Sequence, residues 1–254
     1  MIALSATTGP KRPATLGLAA AARALGAASA LRVASALCVA TGACCVWAAE
    51  AASVPEAQAL RLLRSVVVPA SAGGDAATPG YRLPLELAVI AGSGWSADDV
   101  LVAAQQAGTL LAQCGVGIGT LRLSEFDGPA RYRYLFTPVS RELARRANLG
   151  RPALFFVADT RHRPAFDAEA IGRANSRTRP EMADTVWITA GTRDLPFVIA
   201  HELVHVLADS GEHSEEPGNL MREDTAPENA RLTPDQCRAL VSKAQANGLL
   251  QRAQ

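Results

Sequence analysis

The chain has 254 residues, 49% of them hydrophobic and 19% charged, which suits an ordinary folded core and excludes disorder on the scale of a domain. Its formal charge is +1, and because residues 1–48 hold four basic residues and no acidic residue, the remainder is mildly acidic. Proteins that bind nucleic acid usually carry a basic patch, so no nucleic-acid partner is expected.

Residues 1–48 are predicted to be a leader. Basic residues precede an apolar run of 17 residues, "VASALCVATGACCVWAA", which ends in small side chains. This layout is typical of a secretory signal peptide and predicts a secreted or periplasmic protein. A signal anchor is the alternative, because about 17 apolar residues is the lower limit for a membrane span. The protein would then contact a membrane only through its uncleaved leader.

Residues 49–80 are predicted to form an N-terminal helix and a linker, serving as a pro-segment or a spacer. The stretch "VPEAQALRLLRSVVVPA" has partial helical periodicity, and the following "SAGGDAATPG" has the composition of a flexible loop. The folded domain is therefore expected to occupy residues 81–254.

A strand and a helix are predicted to open this domain. The stretch "YRLPLELAVIAG", from Tyr81, alternates apolar and polar residues as a strand does. Ser96 and Asp99 resemble a capping box at a helix start, and apolar residues then recur at helical spacing as far as Cys114. Gly115 is a natural helix stop.

Further strands are predicted in "VGIGTLRLSEF", "PALFFVADT" and "DTVWITAG". The second of these is the most continuously apolar, which places it at the centre of a sheet. The polar and basic stretch at 161–183 is expected to contain an edge strand and loops.

The last predicted element is a C-terminal helix. Thr233 suits the N-cap, Pro234 suits the first helical position, and Gln236 lies where a capping box requires it. The order of elements predicts an α/β or α+β fold, in which helices pack on a mixed, twisted sheet.

Two cysteines remain once the leader is set aside, Cys114 and Cys237. Disulfides persist in exported proteins, so these two are predicted to bond. The alternative is a pair of separate buried thiols, because free cysteine packs as a small hydrophobic residue.

The stretch "HELVH" is predicted to lie on the helix that precedes the C-terminal one. His201 and His205 are one helical turn apart, so both imidazoles can bind one metal ion. Glu202 projects to one side, where it is a poor ligand but can reach a water on the metal. The alternative is that His201 and His205 are ordinary, partly buried helix histidines that bind no metal.

A catalytic zinc ion needs a third protein ligand, and His213 is the first candidate. Gly211 is expected to supply a left-handed turn that swings His213 back towards the helix. Asp209 is the alternative, either as third ligand or as the partner that orients a ligand imidazole. Weaker candidates for the third ligand are Glu223 and Glu228.

These motifs resemble the zincin metallopeptidases and, within them, the metzincins. That family carries HExxHxxGxxH and then a tight turn containing methionine; here "HELVH" matches, and "NLM" ending in Met221 resembles the Met-turn. The sequence departs from the family pattern because Ala208 replaces the glycine and the third histidine comes two residues late, giving HExxHxxxxxGxH. Met221 also suits a simple core-filling role.

The resemblance implies an exported Zn²⁺-dependent metalloendopeptidase with a zincin-like fold. Its partner would be a peptide or protein substrate, extended along an edge strand near residues 172–185. Zinc-activated water would attack the peptide bond with Glu202 as general base. Two other functions stay open: a zincin-fold binding or structural domain with a non-catalytic metal, and a zinc amidase acting on cell-wall linkages. The oligomeric state is not predicted.

Overall fold

The computed structural model of the protein describes residues 59–69, 79–160, 170–173 and 180–253, with 170–173 described by backbone alone. These residues belong to one compact unit of the chain, 50–254. The predicted leader and most of the predicted linker lie outside the described residues. In the described part, no helix combines the length and the hydropathy that a membrane span requires.

The core of the fold is a mixed sheet with the strand order β1-β3-β2-β5-β8-β7. These strands are β1 (Arg61–Val68), β2 (Tyr81–Ile90), β3 (Val116–Asp127), β5 (Ala153–Val157), β7 (Ala170–Arg173) and β8 (Thr185–Thr189). Strands β3, β2, β5 and β8 run parallel, and the edge strands β1 and β7 pair antiparallel to their neighbours. The short β9 (Gln251–Arg252) pairs with β2, and β4 (Tyr134–Leu135) pairs with β6 (Asp159–Thr160) in a separate ribbon. The predicted α/β class with a mixed sheet is confirmed.

Helices cover both faces of the sheet. They are α1 (Ala97–Leu111), α2 (Thr137–Ala147), α3 (Leu195–Ala208) and α4 (Pro234–Ala246). Alternate residues of the central strands point to opposite faces, so each face has its own apolar cluster. Phe156 belongs to the cluster with α1, α3 and α4, whereas Phe155 and Trp187, stacked with ring centroids 4.3 Å apart, belong to the cluster with α2. Strand β5 is buried along its whole length, as its continuous apolar sequence predicts.

The prediction of a helix within residues 49–80 is wrong for the part that the structure describes. Residues Arg61–Val68 form β1, which pairs antiparallel with β3 along the sheet edge. Three consecutive valines close this segment, and β-branched side chains favour strands over helices. Pairing with β3 therefore outweighs the weak helical periodicity.

Helix α2 was not predicted from the sequence. It carries a proline in its first turn and ends at Asn148, which adopts the left-handed conformation at φ 46°. Its apolar side, including Val139 and Leu143, is buried on the sheet face opposite α3. The helix forms because this stripe covers apolar side chains that the sheet would otherwise expose.

Most predicted helix ends are confirmed. Ser96 Oγ accepts a hydrogen bond from the Asp99 amide, and Thr233 with Gln236 forms a complete capping box. Helix α3 begins differently: Asp194 precedes it in the left-handed conformation at φ 50°, and the Asp194 side chain makes no capping hydrogen bond.

Candidate metal centre

Helix α3 lies in the interior, packed against α1 and α4. Nine of its fourteen residues are buried, because its sequence is apolar around most of its circumference. His201 is 3% exposed and Glu202 is 7% exposed. A polar pair this deep in a helix needs partners, since burying an unpaired polar group is costly.

Three imidazoles converge at one end of α3. His205 Nε2 lies 3.0 Å from His201 Nε2 and 3.3 Å from His213 Nε2. His201 is buried, His205 is half-buried and His213 is exposed, so the cluster opens to solvent on the side of His213. The i, i+4 spacing on α3 brings His201 and His205 together, and the chain that follows α3 brings His213 next to them.

Backbone carbonyls orient the two helical imidazoles. His201 Nδ1 donates to the Leu220 carbonyl at 2.8 Å, and His205 Nδ1 donates to the Ser210 carbonyl at 2.7 Å. A carbonyl only accepts, so each Nδ1 carries the proton and each Nε2 of the neutral ring presents a lone pair. Two lone pairs therefore face each other at 3.0 Å, an arrangement that a cation between them would stabilise.

Burial keeps both helical histidines neutral. The pKa of His201 is lowered to about 4, mainly by desolvation and to a smaller extent by the nearby His205 and His213, against the opposing effect of its hydrogen bond to Leu220. Desolvation also lowers the pKa of His205, with a smaller contribution from His213. Neutral imidazole is the form that ligates metals, so the site is prepared for a metal at neutral pH.

Two of the separations among the three nitrogens are compatible with a tetrahedral metal ion such as zinc. Zinc binds histidine nitrogen at about 2.0–2.1 Å, which puts two nitrogens of a tetrahedral site about 3.3 Å apart. The two measured separations, 3.0 and 3.3 Å, are close to this value. The two helical imidazoles, His201 and His205, also have on their second nitrogen the partner that metal-bound histidines usually have.

The turn that leads to His213 begins two residues earlier than predicted. Asp209, not Gly211, adopts the left-handed conformation, at φ 50°, and its amide closes the last turn of α3. Asp209 is exposed and does not join the three histidines. The Nδ1 atoms of His201 and His205 meet backbone carbonyls instead of its carboxylate. Glu223 and Glu228 are exposed and also lie outside the histidine cluster.

The segment resembling a Met-turn lies beneath His201. Met221 is 3% exposed and packs in the cluster that includes α3. Its amide donates to Asn219 Oδ1 at 2.9 Å, and its carbonyl accepts from the Ser214 amide at 2.8 Å. Met221 therefore fills core space, while the Leu220 carbonyl just before it contacts His201.

The structure contains the predicted bond between Cys114 and Cys237, whose Cα atoms lie 4.9 Å apart. It joins the turn after α1 to the first turn of α4, away from the histidine cluster. Its position makes the bond a structural support and not part of the chemistry.

Some supports of the site were not predicted from the sequence. They are the Leu220 and Ser210 carbonyls and the side chains of Asn219 and Gln236. Backbone carbonyls carry no sequence signal. The position of Gln236 in a capping box was visible, but its contact with Asn219, 17 residues away, depends on the fold.

No protein-family model and no curated protein matches the chain. Among solved structures, the chain is similar to the crystal structure of metalloproteinase-II from Bacteroides fragilis, at 18% sequence identity and a TM-score of 0.46. The match covers 68% of this chain and 55% of that chain, so this chain spans about half the length of that metalloproteinase. The geometry of the histidine cluster, and not this similarity, carries the functional proposal.

Proposed function

We propose that the chain is an exported, zinc-dependent metalloendopeptidase. The observation that carries the proposal is the convergence of three imidazoles, His201, His205 and His213, with no fourth histidine, cysteine or carboxylate joining them among the described residues. Structural zinc sites are closed by four protein ligands, whereas catalytic sites keep one position open. A three-histidine site that opens to solvent is therefore better suited to hydrolysis than to a purely structural role.

His201, His205 and His213 would hold the ion through their Nε2 atoms. A zinc ion with three imidazole ligands supplies Lewis acidity, which allows hydrolysis near neutral pH. Glu202, next to His201 on α3, is the general base in this proposal: its carboxylate takes a proton from the attacking water and passes it to the leaving amine.

The substrate class we propose is an extended peptide. Strand β7 ends the sheet order, and among the described residues its outer edge has no strand partner. It also contacts α3, which carries the histidines. An extended peptide could add to this edge by backbone hydrogen bonds, which suits a peptidase and gives affinity without a fixed sequence.

Export is supported by the Cys114–Cys237 bond, because disulfides persist mainly in oxidising compartments. Residues 1–48 would serve as the signal peptide, and an uncleaved anchor is the alternative. A zinc amidase acting on cell-wall linkages would use the same ligands and the same base, so only the substrate distinguishes it from a peptidase.

The test is metal analysis of the purified protein together with a substrate panel. We expect about one equivalent of zinc and cleavage of an unstructured protein such as casein, with no release of products from peptidoglycan fragments. Zinc binding without any hydrolysis would favour the binding or structural function. Peptidoglycan cleavage alone would favour the amidase, and a protein that binds no zinc would overturn all three metal-dependent functions.

A further inference from the structure

A continuous set of hydrogen bonds links the start of α4 to His201. The side-chain amides of Asn219 and Gln236 contact each other twice, with Asn219 Nδ2 donating to Gln236 Oε1 at 3.0 Å and Gln236 Nε2 donating to Asn219 Oδ1 at 3.2 Å. Asn219 is 2% exposed and Gln236 is half-buried, so this pair is largely shielded from water on the Asn219 side. Hydrogen bonds in such surroundings are strong, and leaving one unmade is costly.

We propose that Asn219 and Gln236 are positioning residues for His201, acting through the peptide bond between Leu220 and Met221. This inference rests on the proposed metal site. Asn219 Oδ1 accepts from the Met221 amide at 2.9 Å, and the Leu220 carbonyl accepts from His201 Nδ1 at 2.8 Å. The Met221 amide and the Leu220 carbonyl belong to one planar peptide group, so a hydrogen bond that fixes the orientation of the amide also fixes the direction of the carbonyl.

The orientation of each amide in the pair is fixed by a second partner. Gln236 Oε1 also accepts from the Thr233 amide at 2.8 Å, as a capping-box residue does, so its Nε2 must face Asn219. Asn219 Oδ1 accepts from Met221, so its Nδ2 must face Gln236. Neither amide can reverse without losing a hydrogen bond to the backbone.

Gln236, the third residue of α4 and part of its capping box, therefore determines through Asn219 how firmly the Leu220 carbonyl is held. The other face of this segment is supported by the backbone, because the Leu220 amide donates to the Arg231 carbonyl at 2.7 Å. His201 depends on this carbonyl for its tautomer, and the tautomer presents Nε2 to the metal. The function of the amide pair is thus to keep a metal ligand in the form that can bind.

Two nearly isosteric variants separate this role from helix capping. Gln236→Glu keeps the oxygen that accepts from both the Thr233 amide and Asn219 Nδ2, but replaces the Nε2 donor by an oxygen facing Asn219 Oδ1. Asn219→Asp keeps the acceptor for Met221 but places an oxygen against Gln236 Oε1. Thr233→Ala is the matched control, because it removes the Thr233 Oγ1 that accepts from the Gln236 amide at 3.2 Å and leaves the amide pair intact.

The first readout is the zinc dissociation constant, measured by competition with a chromophoric chelator. We expect Gln236→Glu and Asn219→Asp each to weaken zinc binding by about 10–100-fold, the usual effect of losing an outer partner of a metal ligand. Thr233→Ala should stay within about twofold of the parent chain, because it does not touch the path to His201.

The second readout needs neither metal nor substrate. Long-range ¹H–¹⁵N spectra of the four histidine rings in the metal-free protein report which nitrogen carries the proton. We expect His201 to be protonated at Nδ1 in the parent chain and in Thr233→Ala, and to populate the other tautomer in the two amide variants. Circular dichroism confirms folding, and if one amide variant does not fold, the other decides.

Unchanged zinc affinity and an unchanged His201 tautomer in both amide variants would overturn the inference. An equal loss of zinc affinity in Thr233→Ala would also overturn it, since general loosening of α4 would then explain the effect. A parent chain that binds no zinc would overturn both this inference and the proposed function. A parent chain that binds zinc but cleaves no peptide would overturn only the proposed function, because the zinc affinities and the tautomers decide the positioning role by themselves.

Discussion

Cys114, in the turn that ends α1, is bonded to Cys237 in the first turn of α4. The residue before it, Gln113, donates to the Ala230 carbonyl at 3.0 Å and accepts from the Leu232 amide at 2.7 Å. Both contacts hold the segment that enters α4, and this segment pairs with residue 220 beside the candidate metal centre. The end of α1 therefore supports the loop beneath His201 without reaching the metal.

Removing the disulfide between Cys114 and Cys237 should destabilise the whole domain. The cysteines lie 123 residues apart, so the bond restricts a long loop of the unfolded chain, and Cys114→Ala with Cys237→Ala should lower the free energy of unfolding by about 2–5 kcal/mol. Urea denaturation of the parent and of the double variant measures this difference, with the reduced parent as control. A double variant with the parent's urea midpoint would contradict the prediction.

Glu202→Gln should abolish hydrolysis and leave metal binding intact. The amide has nearly the shape of the carboxylate but cannot accept a proton, so we expect a fall in kcat of about 10²–10⁴-fold, the range that general bases contribute. Zinc content measured by mass spectrometry should stay at one equivalent. Turnover equal to that of the parent chain would remove Glu202 from the mechanism, whereas loss of zinc would assign it to metal binding.

His213→Ala should weaken zinc binding much more than Asp209→Asn. His213 Nε2 lies 3.3 Å from His205 Nε2, whereas Asp209 is exposed and outside the cluster. Loss of a ligand should exceed the 10–100-fold effect of losing an outer partner, so we expect more than about 100-fold for His213→Ala.

Asparagine is chosen at position 209 because it tolerates the left-handed backbone there while it removes the carboxylate. Asp209→Asn should therefore bind zinc as the parent chain does. If Asp209→Asn loses zinc and His213→Ala retains it, the order of the two candidates for third ligand must be reversed.

The parts of the site that are local in sequence could be predicted, and the parts that depend on distant contacts could not. His201 and His205 lie four residues apart on one helix, so their convergence follows from helical geometry. The Leu220 carbonyl, 19 residues beyond His201, has no side-chain signal and reaches the ring only in the folded chain. His213 was a candidate because a left-handed turn at Gly211 was expected to swing it back to the helix, but the left-handed residue before it is Asp209.

The same distinction, between local sequence features and distant contacts, explains which strands were predicted correctly and which were not. The central strand β5 could be predicted because a short stretch that is entirely apolar is typical of a strand buried on both faces. Strand β1 was assigned as a helix because it is exposed along most of its length, and its residues lack the alternation of a half-buried strand. Its pairing with β3, more than fifty residues away, adds to the strand preference of its three valines and decides its conformation.

Two glycines near the site should respond in opposite ways to substitution by alanine. Gly218 adopts φ +77°, a conformation that costs a residue with a Cβ atom roughly 1–2 kcal/mol. Its carbonyl also accepts from the Arg231 amide at 3.0 Å, a bond that ties the loop beneath His201 to the entry of α4. Gly218→Ala should therefore lower the free energy of unfolding by about that amount.

Gly211 is the matched control, since its φ is not positive and a Cβ atom there would meet nothing within 4 Å. Gly211→Ala should be neutral or stabilise by about 0.4–1 kcal/mol, because alanine reduces the entropy of the unfolded chain. Urea midpoints of the two variants measure the difference. A loss of stability in Gly211→Ala together with a neutral Gly218→Ala would mean that the left-handed turn near the metal lies at Gly211 after all, and that the chain path to His213 described above is wrong.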